Sequence, residues 1–216
     1  MQKERLINVC SRISQFFLLP IIFYPLTIIF FKRKIRGEEY MKTIHTPFIL
    51  VSNHLSFFDH FLFRFIGVWS APHLPLRFMA VKKFTNRTVH ILSKLGIVSV
   101  IYFLFGAFVI KQGEGKEKNL ARAKEILASG GNVVIYPEGH IVRDGTIHPF
   151  KDGAATLATE TGVPVLPISL RYGAPRLFRR ELAISIGALI APEGKSVLEL
   201  NQELYHTIET LHSVIY

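Results

Sequence analysis

His54 and Asp59 stand five residues apart in Val51-Ser52-Asn53-His54-Leu55-Ser56-Phe57-Phe58-Asp59-His60. A carboxylate beside an imidazole fixes its tautomer and stabilises the imidazolium formed when the other ring nitrogen takes a proton, which is the chemistry of a general base. On one continuous helix the two residues would lie roughly 140° apart. They meet only if His54 precedes the helix and folds back over its first turn. The ordinary alternative is a capping box, with Asp59 answering Ser56. Metal ligation by His54, Asp59 and His60 is unsupported, because no Cys or His-x-x-x-His spacing accompanies them, so no metal is expected. A second set of candidates is Glu138 and Gly139 in Tyr136-Pro137-Glu138-Gly139-His140-Ile141-Val142-Arg143-Asp144-Gly145. Pro137 stops a strand ladder and Gly139 permits close backbone approach to a ligand. The plain alternative there is a polar strand exit with an Asp-Gly turn.

Each candidate needs an element to hold it. Phe48-Ile49-Leu50-Val51, entered through Thr46-Pro47, reads as a strand buried on both faces. Ser56 then caps a helix over residues 56–67, with Asp59 in its first turn. Asn132-Val133-Val134-Ile135-Tyr136 is a β-branched strand running straight into Glu138. Ligands of open α/β sheets bind outside the carboxyl ends of the strands, so the two segments can converge on one pocket. Around them the chain alternates short strands (77–81, 107–110, 163–170, 182–187) with helices (86–95, 119–129, 154–161, 196–215). The last helix is expected to bury Leu198, Leu204, Ile208, Leu211 and Ile215. Lys111 and Gln112 close the strand that ends the apolar stretch 97–110. Gly113-Glu114-Gly115-Lys116 lacks the first Gly and the Ser or Thr of a phosphate loop. The expected fold class is α/β, a mixed, mostly parallel sheet flanked by helices, with an N-terminal membrane-anchoring helical segment.

The 216 residues are 49% hydrophobic and 19% charged, include 18 Phe and one Cys, and carry a formal charge of +10. One domain plus an appendage suits this length, and no disulfide framework is possible. The charge leaves nucleic acid, or an anionic membrane or substrate, as partner. No nucleic-acid motif is present, and the apolar excess favours the membrane. Residues 13–31 are almost wholly apolar and, as a helix, would span about 28 Å. Pro20 and Pro25 each remove a helical hydrogen bond. Lys3, Arg5 and Arg12 precede the run, and Lys32, Arg33, Lys34 and Arg36 follow it. Positive charge on both sides favours a bent, interfacial or re-entrant anchor with both ends on the cytoplasmic face. No small-residue cleavage site follows, so a removable signal peptide is not expected. The expected division is an anchor over 1–36 and a catalytic domain over 37–216.

Asn53-His54-x-x-x-x-Asp59, Tyr136-Pro137-Glu138-Gly139 and Val163-Pro164-Val165-Leu166-Pro167, with Lys82-Lys83 and Pro149-Phe150-Lys151-Asp152-Gly153, stand in one order and spacing. Together they resemble the glycerolipid acyltransferase family, best known for the 1-acylglycerol-3-phosphate acyltransferases. The resemblance implies that His54 is general base on an acceptor hydroxyl, that Asp59 orients it, and that a fatty acyl thioester is the donor. It also implies that Glu138 and Gly139 contact the acceptor's glycerol part. The co-substrate would be acyl-coenzyme A or acyl carrier protein, without a cofactor. Two positions depart from the pattern: the family's phosphate-binding arginines are replaced by Gln112, at the end of the 106–112 segment, and by Ile141. Either Lys111 and Arg143 supply the charge, or the acceptor is another lipid such as a lysophospholipid or aminolipid. A catalytically silent lipid-binding protein is the non-enzymatic reading.

Overall fold

The computed structural model describes residues 2–44, 47–56, 59–63, 73–81, 91, 93–110, 113–176 and 179–214. Among these residues seven strands form one sheet: β1 (Phe31–Arg36), β2 (Ile49–Ser52), β3 (Leu76–Val81), β4 (Phe108–Ile110), β5 (Asn132–Ile135), β6 (Val165–Arg176) and β7 (Arg179–Ile186). Their order is β1-β7-β6-β2-β5-β3-β4. The strands from β6 to β4 are mutually parallel, while β7 pairs antiparallel with β6 and carries β1 parallel to itself. The sheet is therefore mixed and mostly parallel, as the alternation of elements implies.

Both faces of the sheet are covered, which is why the central strands carry continuous apolar runs rather than alternation. All four residues of β2 are buried. Ile49, Val51, Val133 and Ile135 pack against three helices, α6 (Lys116–Ala128), α7 (Gly153–Thr161) and α8 (Val197–Ser213). Leu50, Val134 and Leu166 face the other way, toward Leu19, Met41, Phe63 and Phe78. The apolar face of α8 is Leu200, Leu204 and Ile208, and Leu198 is 66% exposed. The expected face is thus corrected at its first turn, where Ser196 caps the helix and forms a capping box with Glu199, leaving Leu198 outside the i, i+4 row.

The N-terminal segment is one bent run: α1 (Gln2–Ile13), a π-turn (Ser14–Leu18) and α2 (Leu19–Phe30), which leads directly into β1. The short helices α3 (Glu38–Met41) and α4 (Asp59–Leu62) and the longer α5 (Ile97–Leu104) complete the described elements. No single described helix is long and apolar enough to cross a membrane, although Gln2–Ile21 and Tyr24–Phe30 form an apolar pair bent by 47°. Pro25 lies inside α2, just past the bend. The face of α1 toward the domain is polar: Glu4, Asn8, Ser11 and, on the π-turn, Gln15 are buried, while Leu6, Val9, Ile13, Phe16 and Phe17 are exposed. Buried polar groups need partners. Glu4 meets Arg77 (3.2 Å) and Arg122 (3.1 Å), Asn8 Oδ1 accepts from Arg77 (2.6 Å), and Gln15 exchanges hydrogen bonds with both backbone groups of Leu76. α1 and the π-turn are amphipathic with their polar side inward. Of the segment expected to anchor, Phe31–Arg36 forms the edge strand β1.

Candidate active site

The register of β2 on β5 builds the site. Val51 lies opposite Ile135, and each strand places its chemical residue three positions further on, His54 after Val51 and Glu138 after Ile135. Asn53 fixes the end of β2 to β6, its amide donating to the Leu170 carbonyl (2.9 Å) and accepting the Leu170 N–H (2.8 Å). His54 leaves the strand at that point and folds back over the start of α4. Its Nδ1 lies 2.9 Å from Asp59 Oδ2. Asp59 is fully buried, and the His54 side chain keeps 17% of its surface exposed. Asp59 Oδ2 also accepts the N–H groups of Leu55 (2.7 Å) and Ser56 (2.8 Å), and Oδ1 accepts the hydroxyls of Ser56 (2.9 Å) and Tyr172 (3.1 Å). The Ser56 backbone thus makes half of the anticipated capping box, but its hydroxyl is spent on the carboxylate. Nδ1–H donates to Asp59, which leaves Nε2 as the acceptor nitrogen. The Tyr136 ring stacks on the imidazole at 4.0 Å between centroids and 17° between planes, and His60 stands edge-on at 6.1 Å. Burial holds the Tyr136 phenol well above its ordinary range.

Glu138 is 2% exposed. Its Oε2 accepts the His54 N–H (2.8 Å) and its Oε1 the His148 N–H (3.0 Å). The carboxylate ties the His54 turn to the loop over 139–152. Burial raises Glu138 above the usual carboxyl range, and the two N–H donors pull it back in part. Gly139 has φ +73°, a backbone conformation that favours glycine. Further along, His140 Nδ1 faces the Glu138 carbonyl (2.9 Å), His140 Nε2 faces His148 Nδ1 (3.2 Å), and His148 Nε2 faces Asp144 Oδ2 (2.8 Å). Hydrogen bonds to His148 and Thr146 lower Asp144. Arg143 is exposed on this loop. Lys111 and Gln112 lie outside the described residues, as do Lys82-Lys83 and most of the helix expected over 86–95. Among the described residues no three His, Cys, Asp or Glu side chains come together as metal ligands would.

The structure brings His54, Asp59, Glu138 and Gly139 to one end of the sheet. Sequence reasoning missed the residues that fix them. Asn53 was visible only as part of the motif. Tyr172 lay beyond the expected end of its strand, because the ladder of β6 continues past Leu170 into a paired hairpin with β7 that has a register shift between Tyr172 and Pro175. Apolar patterning fades there, but β-sheet pairing does not need it.

Residues 32–171 match the model of the acyltransferase family. The chain belongs to that family. A chloroplastic 1-acyl-sn-glycerol-3-phosphate acyltransferase of Brassica napus is 32% identical over 143 residues, which are 65% of this chain and 38% of that protein. The 1-acyl-sn-glycerol-3-phosphate acyltransferase of Borreliella burgdorferi is 22% identical over 169 residues, 77% of this chain and 62% of that protein. The chain thus spans between about a third and two thirds of the length of these relatives. The crystal structure of the 1-acyl-sn-glycerophosphate acyltransferase PlsC of Thermotoga maritima superposes with a TM-score of 0.63 at 19% identity, covering 97% of this chain and 96% of that one. At that identity the likeness shows the acyltransferase's fold. The family's shared segment holds β1 to most of β6 and every candidate catalytic residue named above.

Proposed function

We propose that this protein is a membrane-attached O-acyltransferase that moves a fatty acyl chain from a thioester donor, acyl-coenzyme A or acyl carrier protein, to the free hydroxyl of lysophosphatidate or a related lysolipid. The observation that carries this reading is the His54–Asp59 pair, oriented with Nε2 as acceptor, in a chain of the acyltransferase family. His54 Nε2 takes the proton of the acceptor hydroxyl as its oxygen attacks the thioester carbonyl. The C–O bond forms, the C–S bond breaks, and the proton passes from the imidazolium to the leaving thiolate. Asp59 holds the ring and offsets the transient positive charge. The relatives' names support lysophosphatidate as acceptor.

Attachment to a bilayer is supported by the outward apolar residues of the N-terminal segment, and by Ile97, Val100, Ile101 and Phe103 of α5. The basic residues that flank the segment on both sides favour the cytoplasmic face. A panel of lysophosphatidate, glycerol 3-phosphate and several lysophospholipids, offered with labelled oleoyl-coenzyme A in mixed micelles, tests the acceptor. Product on lysophosphatidate is expected. Gln112 and Ile141, at the positions where the resemblance leads one to expect arginine, favour a second reading, a lysolipid with another head group, which product confined to other lysolipids would establish.

A further inference from the structure

We propose that Tyr172 is a positioning residue for the catalytic pair, holding Asp59 Oδ1 through its hydroxyl and fixing the pair against the junction of α2 and β1. The proposal rests on the acyl-transfer reading of His54. The Tyr172 hydroxyl lies 3.1 Å from Asp59 Oδ1 and 3.0 Å from Ser56 Oγ. Two further side chains contact its ring. Phe31, the first residue after α2, stacks on it at 5.7 Å and 23°, and the Arg180 guanidinium sits 4.8 Å from its centroid, itself donating to the Gly173 carbonyl. These contacts orient the ring, and its hydroxyl donates to the carboxylate. Without it, among the described residues, the carboxylate keeps three donors on Oδ2 but only Ser56 Oγ on Oδ1, so its plane, and with it the imidazole's orientation, is less firmly fixed. Burial and the nearby Asp59 charge raise the Tyr172 phenol, which keeps it a donor at neutral pH. The same column links the apolar N-terminal segment to the dyad: Ile28 of α2 accepts from Arg179 on β7 (2.7 Å), one residue before Arg180.

Among the described residues, the titratable and charged groups beside Tyr172 are Asp59 and Arg180, and those beside His54 are Asp59, His60, Tyr136 and Glu138. Tyr172→Phe removes only the hydroxyl and leaves the stack. Removing a donor leaves more negative charge on Asp59 facing the ring, which favours the imidazolium. The variant is expected to lower kcat roughly tenfold with KM for donor and acceptor unchanged. The acidic limb of the kcat/KM–pH profile is expected to move to higher pH. Adding Tyr172→Phe to Asp59→Asn should cost little more, since the hydroxyl acts only through the carboxylate. Ser56→Ala, which removes the other Oδ1 donor, should move the limb in the same direction. Following the His54 ring protons by NMR over pH reads the same upward displacement without turnover, so it separates this proposal from the acyltransferase reading. A Tyr172→Phe protein with wild-type kcat and an unmoved His54 titration, or losses that multiply with Asp59→Asn, would overturn it.

Discussion

At the scale of residues, the site is a small number of side chains with most of their hydrogen-bonding capacity committed. Asp59 meets five donor groups, and Glu138 bridges the backbone of His54 and His148. In Glu138→Gln one end of the amide carries N–H groups and faces a backbone N–H, so one bond becomes a repulsion. We expect this variant to lose about 1–3 kcal/mol of stability, read as a lower urea midpoint, together with part of its activity because the His54 turn loosens. A Glu138→Gln protein of wild-type stability and reduced activity would instead mark Glu138 as an acceptor contact. That His54, Asp59 and Glu138 would meet was legible in the sequence because the strands before them end on the same side of the sheet, while their types alone left a capping box and a polar strand exit open. The donors to Asp59 were not, since Tyr172 is 113 residues away and meets it only through the pairing of β6 with β2. Nor did the motif show that Glu138 would spend both oxygens on backbone.

At the scale of elements, local pattern and tertiary contact sometimes part. The central strands were readable because two-sided burial leaves an unbroken apolar run. The N-terminal helix could not be read from apolar content alone, because its buried stripe is the polar one, and only Arg77, Arg122 and Leu76 reveal why. On α8 the buried row ends in His212, whose Nδ1 faces Ser169 Oγ (3.0 Å) and whose Nε2 faces the Gly145 carbonyl (3.1 Å). It thereby braces the loop that carries Asp144 and His148. Desolvation lowers His212 below its ordinary value, outweighing the carbonyl. A group depressed by folding adds stability that is complete above its unfolded value, about 6.5, and is lost as pH falls through the lower folded value. The urea midpoint should therefore drop on acidification below about pH 6.5, and His212→Leu should flatten that part of the curve. An unchanged slope in the variant would assign the acid sensitivity elsewhere. Asp144, lowered by His148 and Thr146, acts in a separate window further into acid.

At the scale of the whole molecule, one end of the sheet carries the His54–Asp59 pair and Glu138, and the N-terminal segment and α5 carry outward apolar residues. The column from Phe31 through Tyr172 to Asp59 connects them. Replacing Phe16 and Phe17, 43% and 62% exposed, together by Ser should reduce partition to anionic vesicles at least tenfold, because burying each ring in an apolar phase contributes about 1.5–3 kcal/mol. Sedimentation with vesicles measures this, and undiminished binding would remove these side chains from the contact. The sequence carried the +10 charge and the apolar run, but which residues face outward depends on the inward polar stripe of α1. The central claim is that His54 is the base for acyl transfer. Its most direct test is turnover of labelled oleoyl-coenzyme A and lysophosphatidate by the wild-type protein and His54→Ala, each checked for an unchanged thermal midpoint. A folded variant whose rate falls by about 10²–10⁴ is the result expected, and a folded variant that transfers acyl chains at the wild-type rate would contradict the account.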